Sequence, residues 1–423
     1  MARKAKEKLM RNRRSSNNVT ANSSLPLRQR LLAYGGFDIP FMVIVTILLF
    51  LGLVMMFSAS YVNSIRRYDG DAYFFIKRQL GFAVGGFILM LALSKINLNV
   101  LRRLALPGLG LAFGLLIIVL FYHTDFGDFK RWIPLGPFTV QPSEVAKVAL
   151  ILFYAYAMEK YQRPNYARGR DTGLIPGRKA WFRRFMSRWG YTALYISVLL
   201  AMVALIILEN HLSGTIITLG IGALLIFIGE QRIPLWLYAL IAVIAVAGIY
   251  IVYTKPDILP EYAAKRIIAY KDPSQDPKGD SWQTMQSLLA VGSGGWFGQG
   301  LGQSIQKHLY LPEPQNDFVF AIVCEELGFV GAFGILLLFV ALVWRGFMIA
   351  LHTKERFGSL LVMGIVLQVG LQTALNIGVV TAVLPNTGIP LPFFSYGGTA
   401  LLMLLAEMGI VLAVSRVSRQ IKM

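Results

Sequence analysis

Ten long apolar blocks run along this chain, at roughly residues 37–60, 79–94, 104–122, 143–159, 191–209, 213–229, 234–253, 318–344, 358–382 and 397–415. Each approaches the ~20 residues that carry a helix across a bilayer, so the pattern predicts an all-α polytopic membrane protein with about ten transmembrane helices. Most connections are short and make consecutive helices antiparallel neighbours. Two are longer. Residues 160–190 are basic and punctuated by Gly and Pro, and residues 254–317 form a 64-residue segment between the seventh and eighth helices. A structureless loop of that length is unusual in a compact domain, so this one is expected to fold onto the bundle and to carry function.

Composition agrees, with 56% hydrophobic and 15% charged residues. A net charge of +19 would point to nucleic acid in a soluble protein, but here the basic residues follow the alternation of the loops. With the N-terminus inside, 28 of the 41 Lys and Arg fall on the inner side, 12 on the outer side and one, Lys147, inside a block. The positive-inside rule then places both termini in the cytoplasm and the 254–317 loop outside. The charge is read as topology plus attraction to anionic lipid headgroups, not as nucleic-acid binding.

Residues 1–36, with Lys4, Lys6, Lys8, Arg11, Arg13 and Arg14 followed by Ser and Asn, are too polar and basic to collapse and are expected to be a disordered cytoplasmic tail. Residues 37–415 make the membrane domain, and 416–423 a short cytoplasmic tail. No secretory signal is read ahead of the first block, which itself serves as the insertion signal. The single cysteine, Cys324, excludes an internal disulfide.

Two glycine-rich stretches lie on the outer side. Residues 292–302 match no nucleotide-binding fingerprint. They read either as interfacial turns with Trp282 and Trp296 at headgroup level, or as backbone amides approaching a pyrophosphate or sugar. Residues 384–398 carry no acidic or basic side chain and are apolar enough to dip into the membrane as a re-entrant loop. That is tolerable only where protein or a watery cavity satisfies the backbone.

Ionisable side chains at membrane depth cost at least a few kcal/mol and mark function by default. Asp317 stands where the long outer loop meets the eighth block. It reads as a helix N-cap, as a reactive carboxylate at the membrane boundary, or as both. Gln141-Pro142-Ser143-Glu144 opens the fourth block in the manner of an ordinary helix start, with Lys147 three residues beyond Glu144. Glu325 and Glu326 lie about two turns below Asp317, and Glu407 near the middle of the last block. Glu326 and Glu407 are read as polar links between helices. His211, beside Glu209 and Asn210 at an outer turn, reads as a proton carrier or, as the favoured expectation, as a solvated interface histidine. No set of His, Cys and carboxylates has metal-site spacing.

Three stretches resemble the signatures of one family. They are Lys130-Arg131-Trp132-Ile133-Pro134-Leu135-Gly136 with Gln141-Pro142-Ser143-Glu144-Val145-Ala146-Lys147, then Leu311-Pro312-Glu313 through Asp317-Phe318 with Glu325-Glu326-Leu327-Gly328, and Leu384-Pro385-Asn386-Thr387-Gly388 through Phe394-Ser395-Tyr396-Gly397-Gly398. The family is SEDS, the bacterial shape, elongation, division and sporulation proteins that include FtsW and RodA. The likeness spans essentially the whole membrane domain, and Pro314-Gln315-Asn316 is closer to division and sporulation members than to elongation ones.

The resemblance implies a multi-pass protein of the bacterial cytoplasmic membrane with peptidoglycan glycosyltransferase activity on lipid II. It also implies a class B penicillin-binding protein as transpeptidase partner, among other division or elongation machinery proteins. It makes Asp317 the catalytic carboxylate and brings Glu144 and Lys147 into an outward cavity. Arg131, Gln141, Ser143, Glu325 and Ser395, within the same motifs, are expected at that cavity or on its substrate. The chain departs from the family in one place: where many members carry Asp-Leu-Gly-Thr after the fifth span, it reads His211-Leu212-Ser213-Gly214-Thr215.

Joining sugars from a polyprenyl pyrophosphate donor needs a base for the acceptor hydroxyl and positive charge for the pyrophosphate. That leaving group departs without a proton, so one carboxylate suffices. Asp317 is expected to be the base in an inverting displacement, with Lys147, Arg131 or a bound divalent cation (magnesium or manganese) stabilising the leaving group. Two rivals stay open. A carrier moving lipid II between leaflets needs polar groups through the full depth of the bundle, and in a scaffold that recruits division proteins Asp317 is replaceable.

Overall fold

The computed structural model describes residues 36–121, 131–135, 138–161, 190–229, 254–255, 261–271 and 281–420. The expected tail at 1–35, the basic segment at 162–189, the seventh helix at 234–253 and residues 421–423 lie outside the described residues. The described helices are α1 (Ile39–Arg67), α2 (Phe74–Leu93), α3 (Leu98–Phe121), α4 (Pro142–Tyr161), α5 (Tyr191–Leu208) and α6 (Leu212–Gly229), followed by α7 (Glu261–Lys271), α8 (Trp282–Ser293), α9 (Val319–His352), α10 (Arg356–Val380) and α11 (Gly398–Gln420). A small hairpin, β1 (Ile133–Leu135) and β2 (Phe138–Val140), precedes α4.

Among the described residues eight helices, α1, α2, α3, α5, α6, α9, α10 and α11, are long and apolar enough to cross a membrane. α4 equals them in length, but Glu144, Lys147, Glu159 and Lys160 make it more charged. The chain is thus an all-α polytopic membrane protein.

Several helices outrun the apolar blocks that predict them, α2 beginning at Phe74 and α9 ending at His352. The extra turns carry charges that find partners, local for α2 and distant for α9: Arg78 lies 4.3 Å over the Phe74 ring and Lys77 bridges Asp71 at 3.0 Å, while Arg345 bridges Asp38 of the first helix at 2.7 Å. Hydropathy drops at the first charge, whereas the backbone ladder continues.

α10 and α11 bury 67% of their apolar stretch, against 22–39% for α1, α2, α3, α5 and α9. With α4, whose residues from Ala146 to Ala155 are nearly all buried, they form the middle of the bundle. A charge in such a place needs a partner, and at one end of α4 Arg102 holds both Glu159 and Glu355, each at 3.0 Å.

α9 is broken at Gly328, where φ is 66° and ψ is −170°. A break frees backbone groups that apolar surroundings cannot satisfy. The glycine-rich segment after α8 satisfies them reciprocally. Gln299 and Gly300 N–H donate to the Glu325 and Glu326 carbonyls at 2.9 and 3.0 Å, while Phe329 and Val330 N–H donate to the Gly295 and Trp296 carbonyls at 2.9 and 3.1 Å. The two backbones lie so close that a Cβ at Gly298 or at Gly328 would fall 2.2 Å from the opposite chain.

Between α10 and α11 the chain turns back into the bundle, burying Ile389, Leu391, Phe393 and Phe394. A Cβ at Gly52, halfway along α1, would meet the Phe393 carbonyl at 2.3 Å. The expected re-entrant loop is therefore real, and helix side chains satisfy its backbone. Asn376 donates to the Ile389 carbonyl at 2.7 Å, Gln372 to the Pro390 carbonyl at 2.9 Å and Gln79 to the Ser395 carbonyl at 3.3 Å.

Candidate functional site

A cavity of about 540 Å³ lies among the hairpin, α4, α6, α7, α10 and the re-entrant loop. Four basic side chains (Arg78, Arg131, Lys147 and Arg266) and two acidic ones (Glu144 and Asp317) line it.

Asp317 sits half-buried just before α9. The cap position is Phe318 and no side chain caps the helix, so Asp317 is not the N-cap that the sequence also allowed. Asn376 Nδ2 holds the Asp317 carbonyl at 2.7 Å and the Ile389 carbonyl at 2.7 Å, fixing the loop end to the re-entrant segment. The carboxylate faces Gly388 and Arg266: a Cβ at Gly388 would lie 3.4 Å from Asp317 Oδ2 and 3.8 Å from Arg266 Nη1. Gly388 has φ +70°, so glycine suits both the backbone and the space. Burial pushes the Asp317 carboxyl up to about 6, against the pull of its own backbone hydrogen bond and of the Arg266 guanidinium.

Arg266 was hidden in the mixed charges of the long loop. α7 delivers it by docking on the re-entrant segment, with Arg266 Nη1 donating to the Asn386 carbonyl at 3.0 Å and the Tyr270 hydroxyl to the Val383 carbonyl at 2.9 Å. The described parts of the long loop thus fold onto the bundle as expected.

On the other wall, the hairpin pairs Ile133 with Val140 and carries the chain from Arg131 to Gln141. Arg131 donates to the Asn210 carbonyl. Lys147 is 1% exposed and lies 2.8 Å from Glu144. Gln141 Nε2 stands 3.3 Å from His211 Nε2. His211 is not the solvated residue expected: it is 6% exposed and lines the cavity. Burial pushes its imidazole down to about 3, helped by Arg131, Lys147 and Arg266.

Of the remaining expected site residues, Ser395 lines the cavity, with its hydroxyl accepting the Leu391 N–H at 2.8 Å and pinning the re-entrant turn. Ser143 is buried beside the cavity but does not line it. Glu325 is also elsewhere. Its carboxylate accepts from the Ser304 hydroxyl and from the Ile305 N–H at 2.9 Å, bracing the loop that splints α9. The Gln299 and Gly300 amides serve that splint, and none of residues 292–302 lines this cavity. Glu326 and Glu407 are polar links, as expected. Glu326 binds Ser58 at 2.7 Å and Lys307 at 2.9 Å, and Gln368 donates to both Glu407 oxygens at 3.0 Å. Lys307, counted from sequence with the outer loop, is 4% exposed and supplies the cation that pairs with Glu326.

Among the described residues no three His, Cys, Asp or Glu side chains gather as a metal cage. Magnesium ordinarily needs only one or two carboxylates beside substrate phosphates, and Asp317 and Glu144 are the carboxylates this cavity offers. The cavity lining reaches down to Gln368 and Leu404. Beyond it, Leu150, Ile151 and Tyr154 of α4, Leu361 and Ile365 of α10, and Met408 and Val411 of α11 belong to one buried apolar core.

The cell cycle protein family of FtsW, RodA and SpoVE matches residues 39–420. Stage V sporulation protein E of Bacillus subtilis (strain 168) is 38% identical over 385 residues, 90% of this chain and 98% of that protein. The probable peptidoglycan glycosyltransferase FtsW of Geobacter sp. (strain M18) is 36% identical over 385 residues, 90% of this chain and 97% of that one. Among solved structures, Rod shape determining protein RodA of Thermus thermophilus aligns with a TM-score of 0.61 at 28% identity, over 90% of this chain and 97% of its own. A chain of a peptidoglycan synthase complex, described for the coordination of polymerization and crosslinking, aligns with a TM-score of 0.68 at 28% identity, over 90% of this chain and 98% of its own.

Proposed function

This chain belongs to the FtsW, RodA and SpoVE family of cell cycle proteins, and on that premise we propose that it is a peptidoglycan glycosyltransferase of the bacterial inner membrane, polymerising lipid II at the outer face with Asp317 as general base. The observation that carries the reading is the half-buried Asp317 carboxylate in a cavity lined by four basic side chains.

In the reaction, an acceptor sugar hydroxyl gives its proton to Asp317 as its oxygen bonds the anomeric carbon from the face opposite the pyrophosphate. The bond from that carbon to the phosphate oxygen breaks, its electron pair leaves with undecaprenyl pyrophosphate, and the configuration inverts. A carboxyl near 6 suits the task, being ionised at neutral pH and still basic enough to take a proton in the transition state. Arg266 and Arg131 are each oriented by a backbone carbonyl, and Lys147 by Glu144, so positive charge is in place before the pyrophosphate charge develops. A magnesium or manganese ion held by Asp317 or Glu144 would add further charge neutralisation at the phosphates.

The apolar core below Gln368 argues against a carrier, whose headgroup path needs polar side chains through the full depth. From the likeness to the synthase complex, we infer a crosslinking partner, a class B penicillin-binding protein.

Purified chain with such a partner and labelled lipid II in detergent, where no leaflets exist, tests the proposal. Polymer from wild type and none from Asp317→Asn is expected. Leaflet transfer in vesicles without polymer in detergent would instead establish the carrier.

A further inference from the structure

The outer end of α1 touches the Asp317 loop at three levels. Ser58, Asn63 and Arg67 stand about 7 Å apart along the helix axis at roughly 1.5 Å per residue, and each holds a different point of the segment between Lys307 and Glu326. At the lowest level the Ser58 hydroxyl donates to Glu326 at 2.7 Å and accepts from Lys307 Nζ at 3.1 Å, while Lys307 and Glu326 close the neck of the loop at 2.9 Å. At the middle level Asn63 Nδ2 donates to Gln315 Oε1 at 2.9 Å, and Gln315 Nε2 donates onward to Glu313 Oε2 at 2.7 Å. At the rim Arg67 pairs with Glu313.

Gln315 is fully buried, and its carbonyl accepts the Tyr396 N–H at 2.7 Å. Asp317 follows two residues later. At its opposite end α1 is anchored too: the Asp38 N–H donates to Ser415 Oγ at 3.0 Å, and Arg345 bridges the Asp38 carboxylate at 2.7 Å. Neither Asn63 nor Gln315 lines the cavity.

We propose that Asn63 is a positioning residue for Asp317, the middle rung of a three-level ladder by which α1 sets the depth of the catalytic loop in the cavity. The proposal rests on the reading of Asp317 as the reacting base. Asn63 acts through Gln315 and touches no substrate. A displacement near 1 Å of a reacting group costs about 10²-fold in rate, and the Asn63 to Gln315 bond holds the loop two residues before Asp317, whose own carbonyl is held from α10 by Asn376.

The experiment measures polymerisation by the full chain with its penicillin-binding protein partner in detergent. Asn63→Leu conserves bulk but cannot donate. It lowers kcat by about 10²-fold with KM for lipid II within about twofold, and it moves the acid limb of the pH–rate profile because the carboxylate changes its distance to Arg266. Asn63→Asp opposes a carboxylate to Gln315 Oε1 and is equally slow. Adding Glu313→Gln lets the Gln315 amide turn round and donate in the reverse direction, which restores at least about tenfold, whereas general loosening of the fold would be worsened by a second substitution.

Wild-type kcat and an unmoved acid limb in Asn63→Leu overturn the ladder. Where Asn63→Leu fails to accumulate, Gln315→Leu cuts the same bond from the loop side, and wild-type kcat there overturns it as well. Polymer from wild type and none from Asp317→Asn in the same assay leaves the base assignment standing whatever Asn63 does; no polymer from wild type overturns both.

Discussion

Replacing Lys307 with Met removes one charge from a pair that water does not reach. The Lys307 and Glu326 side chains are 4% and 0% exposed and stand 2.9 Å apart. After the change Glu326 keeps the Ser58 hydroxyl at 2.7 Å and the Ser304 N–H at 3.3 Å, both neutral donors that leave its charge uncompensated. Breaking a buried pair from one side costs about 3–5 kcal/mol, because the remaining ion stays desolvated. Lys77 and Asp71 form a control pair of similar length, 3.0 Å, but 67% and 39% exposed. Such a solvent-screened pair contributes little to stability. Unfolding in detergent, followed by intrinsic tryptophan fluorescence against denaturant, therefore shows Lys307→Met less stable by about 3 kcal/mol or more and Lys77→Met close to wild type. Lys307→Met combined with Glu326→Gln recovers most of the loss, since both charges then leave together. A Lys307→Met cost no larger than that of Lys77→Met would show that the buried pair is not what stabilises this neck of the loop.

Gly388→Ala brings a Cβ to 3.4 Å from Asp317 Oδ2 on a backbone with φ +70°; polymerisation falls at least about tenfold while membrane insertion is unchanged, and full activity would show that the carboxylate has room to spare. Gly298→Ala places a Cβ 2.2 Å from the Glu326 carbonyl at φ +79°, so thermal unfolding in detergent registers a loss of about 1–3 kcal/mol or more. Asp317→Asn is more stable than wild type at pH 8 but not at pH 4. The folded carboxyl is raised from 3.8 to about 6, so its contribution to stability is full below the unfolded value and lost as pH rises through about 6. An equal melting difference at both pH values contradicts this.

Hydropathy made the helices legible because apolar length is a local property, and the helix ends escaped it where Arg78 stacks on Phe74 one turn back and Arg345 pairs with Asp38, 307 residues away. Asp317, Glu144 and Lys147 could be singled out because a charge beside an apolar run is conspicuous, and the structure gathers all three at one cavity. Lys307 could not be placed, because its burial depends on Ser58, 249 residues away. Arg266 reaches Asp317 only through the docking of α7, and no pattern within 261–271 announces that contact. His211 was misjudged since its neighbours in sequence are polar, while its neighbours in space are Gln141 and the cavity wall. The glycines at 292–302 are legible as turns, but the broken turn of α9 that their backbone meets is announced by no pattern within the segment.

The pH dependence of kcat/KM for lipid II polymerisation by wild-type protein tests the assignment of Asp317 most directly. The expected rate is full above pH 7 and falls tenfold per pH unit once the medium drops below about 6, the value to which burial raises the Asp317 carboxyl. A rate that stays level from pH 8 to pH 5, or rises on acidification, contradicts a carboxylate base at that position.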